Sequence, residues 1–93
     1  MYATVRTYSD SPDMADALVS READVKDLIG GIDGFHAYYV IRTDGGAVTV
    51  SVFDDEAGAS ESTRVAADWI RANLPEIAGG TPQVSGGEVV ISA

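Results

Sequence analysis

The strongest constraint on this chain is a hairpin whose two strands each present two unlike faces. Phe35 to Thr43 and Gly46 to Phe53 are alternating runs rich in aromatic and β-branched residues, joined by Asp44-Gly45. Asp-Gly between such runs signals a tight two-residue turn, one that places its residues at positive φ. The turn sets the register: Ile41 opposite Val48, Tyr39 opposite Val50, Ala37 opposite Val52. Those pairs form a nearly pure apolar face. The other face pairs Arg42 with Ala47, Val40 with Thr49, Tyr38 with Ser51 and His36 with Phe53. Tyr, Val and Phe do not suit a plain solvent face, and Arg and His do not suit a plain core face. The sheet therefore needs cover on both sides, helices on one and something else on the other.

The flanking segments supply the helices. Tyr2 to Ser9 alternates as a strand. Ser11-Pro12-Asp13 reads as a helix start, with Ser as cap and Pro at the first helical position. Met14, Leu18, Val25, Leu28, Ile29 and Ile32 recur at helical spacing, so the first helix is expected from about Pro12 to Leu28 or Ile29. Arg21 or Glu22 breaks its apolar stripe at one turn, and Gly30-Gly31 ends it. Asp54-Asp55-Glu56 places negative charge at the next helix start. Ala59, Thr63, Ala66, Ile70 and Leu74 form that helix's buried stripe, with Trp69 beside it and Arg64 within reach of Glu61 and Asp68. Pro75 stops it near Asn73 or Leu74. A loop over 78–82 precedes a last strand from Gln83 to Ser92, where Gly86-Gly87 suggests a bulge or a close backbone approach.

The order is βαββαβ in one domain spanning residues 1–93. Two helices on one face of a four-stranded antiparallel sheet is the α+β, ferredoxin-like arrangement. The helices are expected on the face of Ala37, Tyr39, Ile41, Val48, Val50 and Val52. Tyr2, Tyr8, Tyr38, Val40 and Phe53 then form the opposite face. An apolar patch of that size marks an interface, and pairing with a second copy about a two-fold axis is the economical way to cover it.

Composition narrows the function. Fifteen Asp and Glu against six Lys and Arg give a net charge of −9, which repels phosphate backbones and excludes a nucleic-acid binder. The acid excess fits either a high-GC genome or adaptation to high salt. There is no cysteine, hence no disulfide, thiolate metal site or Cys nucleophile. No long apolar run and no basic-then-apolar leader is present, so no membrane span is expected and a cytoplasmic location is the default. The glycine pairs do not precede a helix with a Lys, and no Ser-His-Asp arrangement occurs. The consecutive acids at 54–56 suit a helix dipole rather than a metal site.

With its strand order, with Gly34-Phe35 opening the second strand, and with Val50-Ser51-Val52-Phe53-Asp54-Asp55 leading into the second helix, the chain resembles the dimeric α+β barrel superfamily. Within that superfamily it is similar to the antibiotic-biosynthesis-monooxygenase-like domains. The resemblance implies a homodimer joined through its sheet faces, with a cleft in each subunit between helices and sheet. It further implies binding of a small aromatic or hydrophobic molecule, and, for an enzyme, cofactor-independent oxidation of a quinol- or polyphenol-like substrate. A non-catalytic metabolite-binding or interaction dimer is the alternative. Haem degradation is not carried over: that branch has an Asn on the first strand, where this chain offers Thr4, Arg6 and Thr7, and a His on the second helix, where it offers only Trp69. Related members often have Trp at the position of Phe53. No cofactor or metal is expected.

Six residues stand out as site candidates. Tyr39 and Trp69 are expected to face each other in an aromatic cleft, or to fill the core as a pair. His36, the group that titrates nearest neutrality, serves as a general base with Asp54 across the hairpin, or sits in the dimer interface. Arg6 and Tyr38, together with Arg42 and Tyr8, bind an anionic or phenolic group, or hydrogen-bond to one another between the sheets. Phe53 completes the ligand-binding set.

Overall fold

Alternation in the chain becomes four strands: β1 (Tyr2–Tyr8), β2 (Phe35–Thr43), β3 (Gly46–Phe53) and β4 (Gln83–Glu88). They form one antiparallel sheet in the order β2-β3-β1-β4. Three helices, α1 (Met14–Ser20), α2 (Glu22–Gly30) and α3 (Glu56–Asn73), complete the described residues. This computed structural model describes residues 1–77 and 82–93; most of the loop expected over 78–82 lies outside them. The α+β ferredoxin-like arrangement is thus observed, and among the described residues no helix is long and apolar enough to cross a membrane.

The hairpin has the expected pairs from Ala37↔Val52 to Arg42↔Ala47. Its turn is the expected Asp44-Gly45, yet positive φ occurs at Asp10 and Gly34 instead. The turn is held by another contact: the Ser11 amide donates to the Gly45 carbonyl, 3.0 Å. Gly46 follows at a point of close approach, since a Cβ there would lie 2.1 Å from the Tyr8 carbonyl oxygen. At the other end the register shifts, so that Phe35 rather than His36 opposes Phe53. His36 is the extra residue of a bulge, which frees its ring to meet Asp54.

The single first helix becomes two. Its apolar stripe fails at Arg21, and the chain breaks there, at φ −117° and ψ 29°. Ser11 does not cap through its side chain; Asp13 occupies the cap position, and the Ser11 carbonyl accepts from the Met14 amide. The helix α3 begins as its acids predict, Asp55 accepting from the Gly58 amide at 3.1 Å. Along its outer side Arg64 meets Glu61 and Asp68. In β4, Gly86 and Gly87 pair in unbroken register with Thr4 and Ala3. They mark close approach rather than a bulge: a Cβ on Gly86 would stand 3.1 Å from the Tyr2 ring.

The largest departure concerns which face the helices cover. They pack on the mixed face, burying Thr4, Arg6, Tyr8, Ala47, Thr49, Ser51 and Phe53. The purely apolar face of Ala37, Tyr39, Ile41, Val48, Val50 and Val52 is the open one, with Tyr39 59% and Ile41 47% exposed. Side-chain length explains the choice. Facing helix positions are often small, including Ala15, Gly58, Ala59, Ser62 and Ala66. Long sheet residues (Tyr2, Arg6, Tyr8, Tyr38, Phe53) are needed to fill the gap, and all lie on the mixed face. Short Ala, Val and Thr residues dominate the other. The polar groups buried by this choice are satisfied, and no described buried side-chain nitrogen or oxygen lacks a partner.

Candidate functional site

Arg6 lies at the middle of β1 and is only 1% exposed. Its guanidinium is held by three hydroxyls: Nε donates to Thr49 Oγ1 at 3.2 Å, Nη1 to Thr63 Oγ1 at 3.1 Å and Nη2 to Ser51 Oγ at 3.2 Å. Two come from β3 and one from α3, so the cation ties sheet to helix. Tyr8 and Tyr38 stand beside it. Burial pushes both phenols above their ordinary value of 10.0, against the downward pull of the Arg6 charge. Each also raises or is raised within this group, Tyr38 adding a smaller upward push on Tyr8.

These raised phenols make a pH prediction. The fold keeps both tyrosines protonated where the unfolded chain, near 10.0, has begun to lose its protons. Their contribution to stability is therefore complete below about pH 10 and is lost as pH rises through the folded values. The urea midpoint should fall on passing above about pH 10, and fall less steeply in Tyr8→Phe/Tyr38→Phe. An equally steep fall in the double variant would contradict the assignment.

Tyr39 and Trp69, expected to face each other, do not: Trp69 meets Tyr38 instead, in a nearly filled core. Trp69 shares a void with Tyr8 and Tyr38, lined also by Leu18, Val25 and Ile70. Tyr39, one residue along β2, points to the open face and away from Trp69. The void itself is small, about 10 Å³. Arg21 lies over the Trp69 ring, 5.9 Å from its centroid. Phe53 has no exposed surface; it packs with Ile29, Ala59 and Ala66 and edge-on to Phe35 at 5.9 Å.

Openings of three sizes lie around this core among the described residues. A groove of about 370 Å³ runs between α1–α2 and β2, lined by Leu18, Val19, Glu22, Val25, Lys26, Tyr38 and Val40. A hollow of about 250 Å³ lies between α3 and β4, over Thr4, Thr63, Val84 and Gly86. The largest, about 560 Å³, is bounded by the 31–34 loop and by Asp54, Asp55 and Glu61. Ile32 and Ala57 line it together with the carboxylates of Asp33, Asp54, Asp55 and Glu61, which repel an anionic molecule. His36 pairs with Asp54 at its edge, and lines neither the groove nor the hollow. Among the described residues no group of three or more His, Asp or Glu is placed to hold a metal ion. The site members missed by sequence reasoning are Thr49, Ser51 and Thr63, ordinary strand and helix residues until Arg6 brings them together.

No family model matches the chain, and no curated protein matches it either. Solved structures do. A Bordetella bronchiseptica protein whose name places it among the antibiotic biosynthesis monooxygenases superposes with a TM-score of 0.71 at 18% identity, over 97% of each chain. A Streptomyces coelicolor monooxygenase from the gene ActVA-Orf6, in complex with nanaomycin D, gives 0.61 at 22% identity over 98% of this chain and 91% of that one. The heme-degrader MhuD of Mycobacterium tuberculosis, with two hemes in its active site, gives 0.71 at 13% identity over 100% and 99%. The chain has the fold of the antibiotic-biosynthesis-monooxygenase-like proteins, built on the ferredoxin-like sheet described above.

Proposed function

We propose that the protein is a homodimer joined through its open sheet faces, and that each subunit binds a small aromatic molecule between helices and sheet. As an enzyme it would oxidise a quinol- or polyphenol-like substrate without a cofactor. The groove beside Tyr38 carries this reading. Its volume of about 370 Å³ falls in the range of ligand sites, Leu18, Val19, Val25 and Val40 supply apolar lining, and Tyr38 lines it together with the paired Glu22 and Lys26. Structural neighbours hold large planar molecules, nanaomycin D in one and hemes in another. Tyr38 would orient the ligand, and Trp69, which does not line the groove, would hold the Tyr38 ring in place from α3. The protein's part in such chemistry is orientation, proton removal and exclusion of water, while the deprotonated substrate passes an electron to dioxygen.

The dimer rests on the apolar open face. Val5, Val48, Val50, Val52, Tyr39 and Ile41 lie together there, and beyond β4 Val90 and Ile91 are also more than four-fifths exposed. In this reading Tyr39 belongs to the subunit interface, and His36 to the acidic edge near Asp54. The small void beneath Trp69 favours the second reading, a non-catalytic dimer that binds a metabolite or a partner.

Aerobic turnover of a dihydroanthraquinone-type quinol tests the catalytic form. The expected result is oxidation whose kcat/KM falls roughly tenfold or more in Tyr38→Phe and in Trp69→Ala. Turnover unchanged in both variants would contradict this site. Saturable binding with no oxidation would move the protein to the non-catalytic reading.

A further inference from the structure

The groove beside Tyr38 carries one opposed pair of charges. Among its lining residues Lys26 is the only cation and Glu22 the only anion, and the two pair at 3.1 Å, one helical turn apart on α2. Their place follows from the helix. Val25 and Ile29 are the buried residues of α2, and Glu22 and Lys26 share the neighbouring stripe, where helix meets solvent. The apolar lining of Leu18, Val25 and Val40 therefore ends in a charged rim.

The charged groups of the surrounding elements are engaged elsewhere or lie outside the lining. Arg42 of β2 pairs with Asp16 of α1, and Arg21 lies over Trp69 and pairs with Asp24. Asp27 and His36 line no part of the groove. Arg6 is buried against three hydroxyls. Tyr38 stays protonated at neutral pH because burial raises its phenol, so it brings no charge. Lys26 is held only by its partner Glu22, with side chains 72% and 64% exposed, and exposed pairs of this kind are weak. Its flexible four-carbon stem lets the ammonium leave Glu22 for another anion.

We infer that Lys26 holds the oxygen of a phenolic ligand in the groove and stabilises its ionised form, exchanging Glu22 for it. The net charge of −9 repels a ligand that arrives as an anion. A phenol arrives neutral, lays its ring against the apolar lining and ionises beside the ammonium. Its O–H bond breaks, the electron pair stays on the oxygen, and the proton passes to solvent water at the mouth of the groove. This rests on the small-molecule reading above and specifies the ligand as an acidic phenol. The anion so formed is the species from which the proposed oxidation draws its electron.

The probes are 4-nitro-1-naphthol, whose anion is coloured, and its methyl ether, which cannot ionise. Absorbance against pH, with the protein in saturating excess, reads where the bound phenol ionises. That pH should lie about one pH unit or more below the value for the free phenol, a tenfold or greater preference for the anion. Lys26→Gln should lose the shift, and Lys26→Arg should keep it. Glu22→Gln, which leaves the ammonium without a competitor, should enlarge it. Both positions are exposed, so each variant should fold and bind the ether as the wild type does. An unshifted phenol on the wild type, or a shift that persists in Lys26→Gln, would overturn the role of Lys26 and leave the groove standing as a small-molecule site. Loss of the ether together with the phenol in Lys26→Gln would overturn it too, reducing Lys26 to a structural part of the wall. Binding of neither probe by the wild type would overturn both readings.

Discussion

Val50→Asp is expected to turn a dimer into a monomer without unfolding the chain. Val50 lies on β3, an interior strand, directly opposite Val5 on one side and Tyr39 on the other. It is thus at the centre of the open apolar face, only half-buried in the subunit itself. A two-fold axis would bring the substitution in twice. Burying a carboxylate costs several kcal/mol after relaxation, so two should weaken association roughly a thousandfold or more. Within the subunit the new charge remains solvated, and the melting of the monomer should change little. Light scattering on the eluting peak at micromolar concentration reads the result. A Val50→Asp protein that remains a dimer would place the interface elsewhere.

Phe53→Ala has the largest expected effect on stability. The ring is wholly buried between sheet and α3, close to Gly58, where an added Cβ would lie 3.0 Å from the ring. Truncating a buried Phe costs about 3–5 kcal/mol. The whole stability of a domain is about 5–15 kcal/mol, so the variant should be marginal and melt roughly 12–40 °C lower. The measurement also decides what Phe53 is for. A side chain with no exposed surface should affect ligand affinity only through unfolding. A well-folded Phe53→Ala that loses ligand binding would return Phe53 to the site.

Much of this architecture was legible because strands and turns announce themselves locally. The Asp44-Gly45 turn fixed which residues pair, and the acids at 54–56 marked the start of α3. What failed was the choice between two faces, which no local signal decides. Polarity argued that helices would cover the Val and Ile face. Length decided otherwise, since Arg6, Tyr8, Tyr38 and Phe53 reach across to small helix residues while Val50 and Ala37 do not. Because strand neighbours alternate, that single choice exchanged Tyr39 for Tyr38 as the partner of Trp69. The bulge at His36 was hidden for a related reason, since a one-residue slip near a strand's end leaves the rest of the register intact. Arg6 was visible as an oddity in a strand. That its partners would be hydroxyls, with no carboxylate among them, required the third dimension.

Native mass spectrometry of the freshly purified protein tests the central claim most directly, since it reads assembly and bound ligand together. The account predicts a dimer carrying up to two copies of a molecule of a few hundred daltons, lost on denaturation. A bare monomer would contradict it, leaving both the open apolar face and the groove beside Tyr38 without the partners assigned to them.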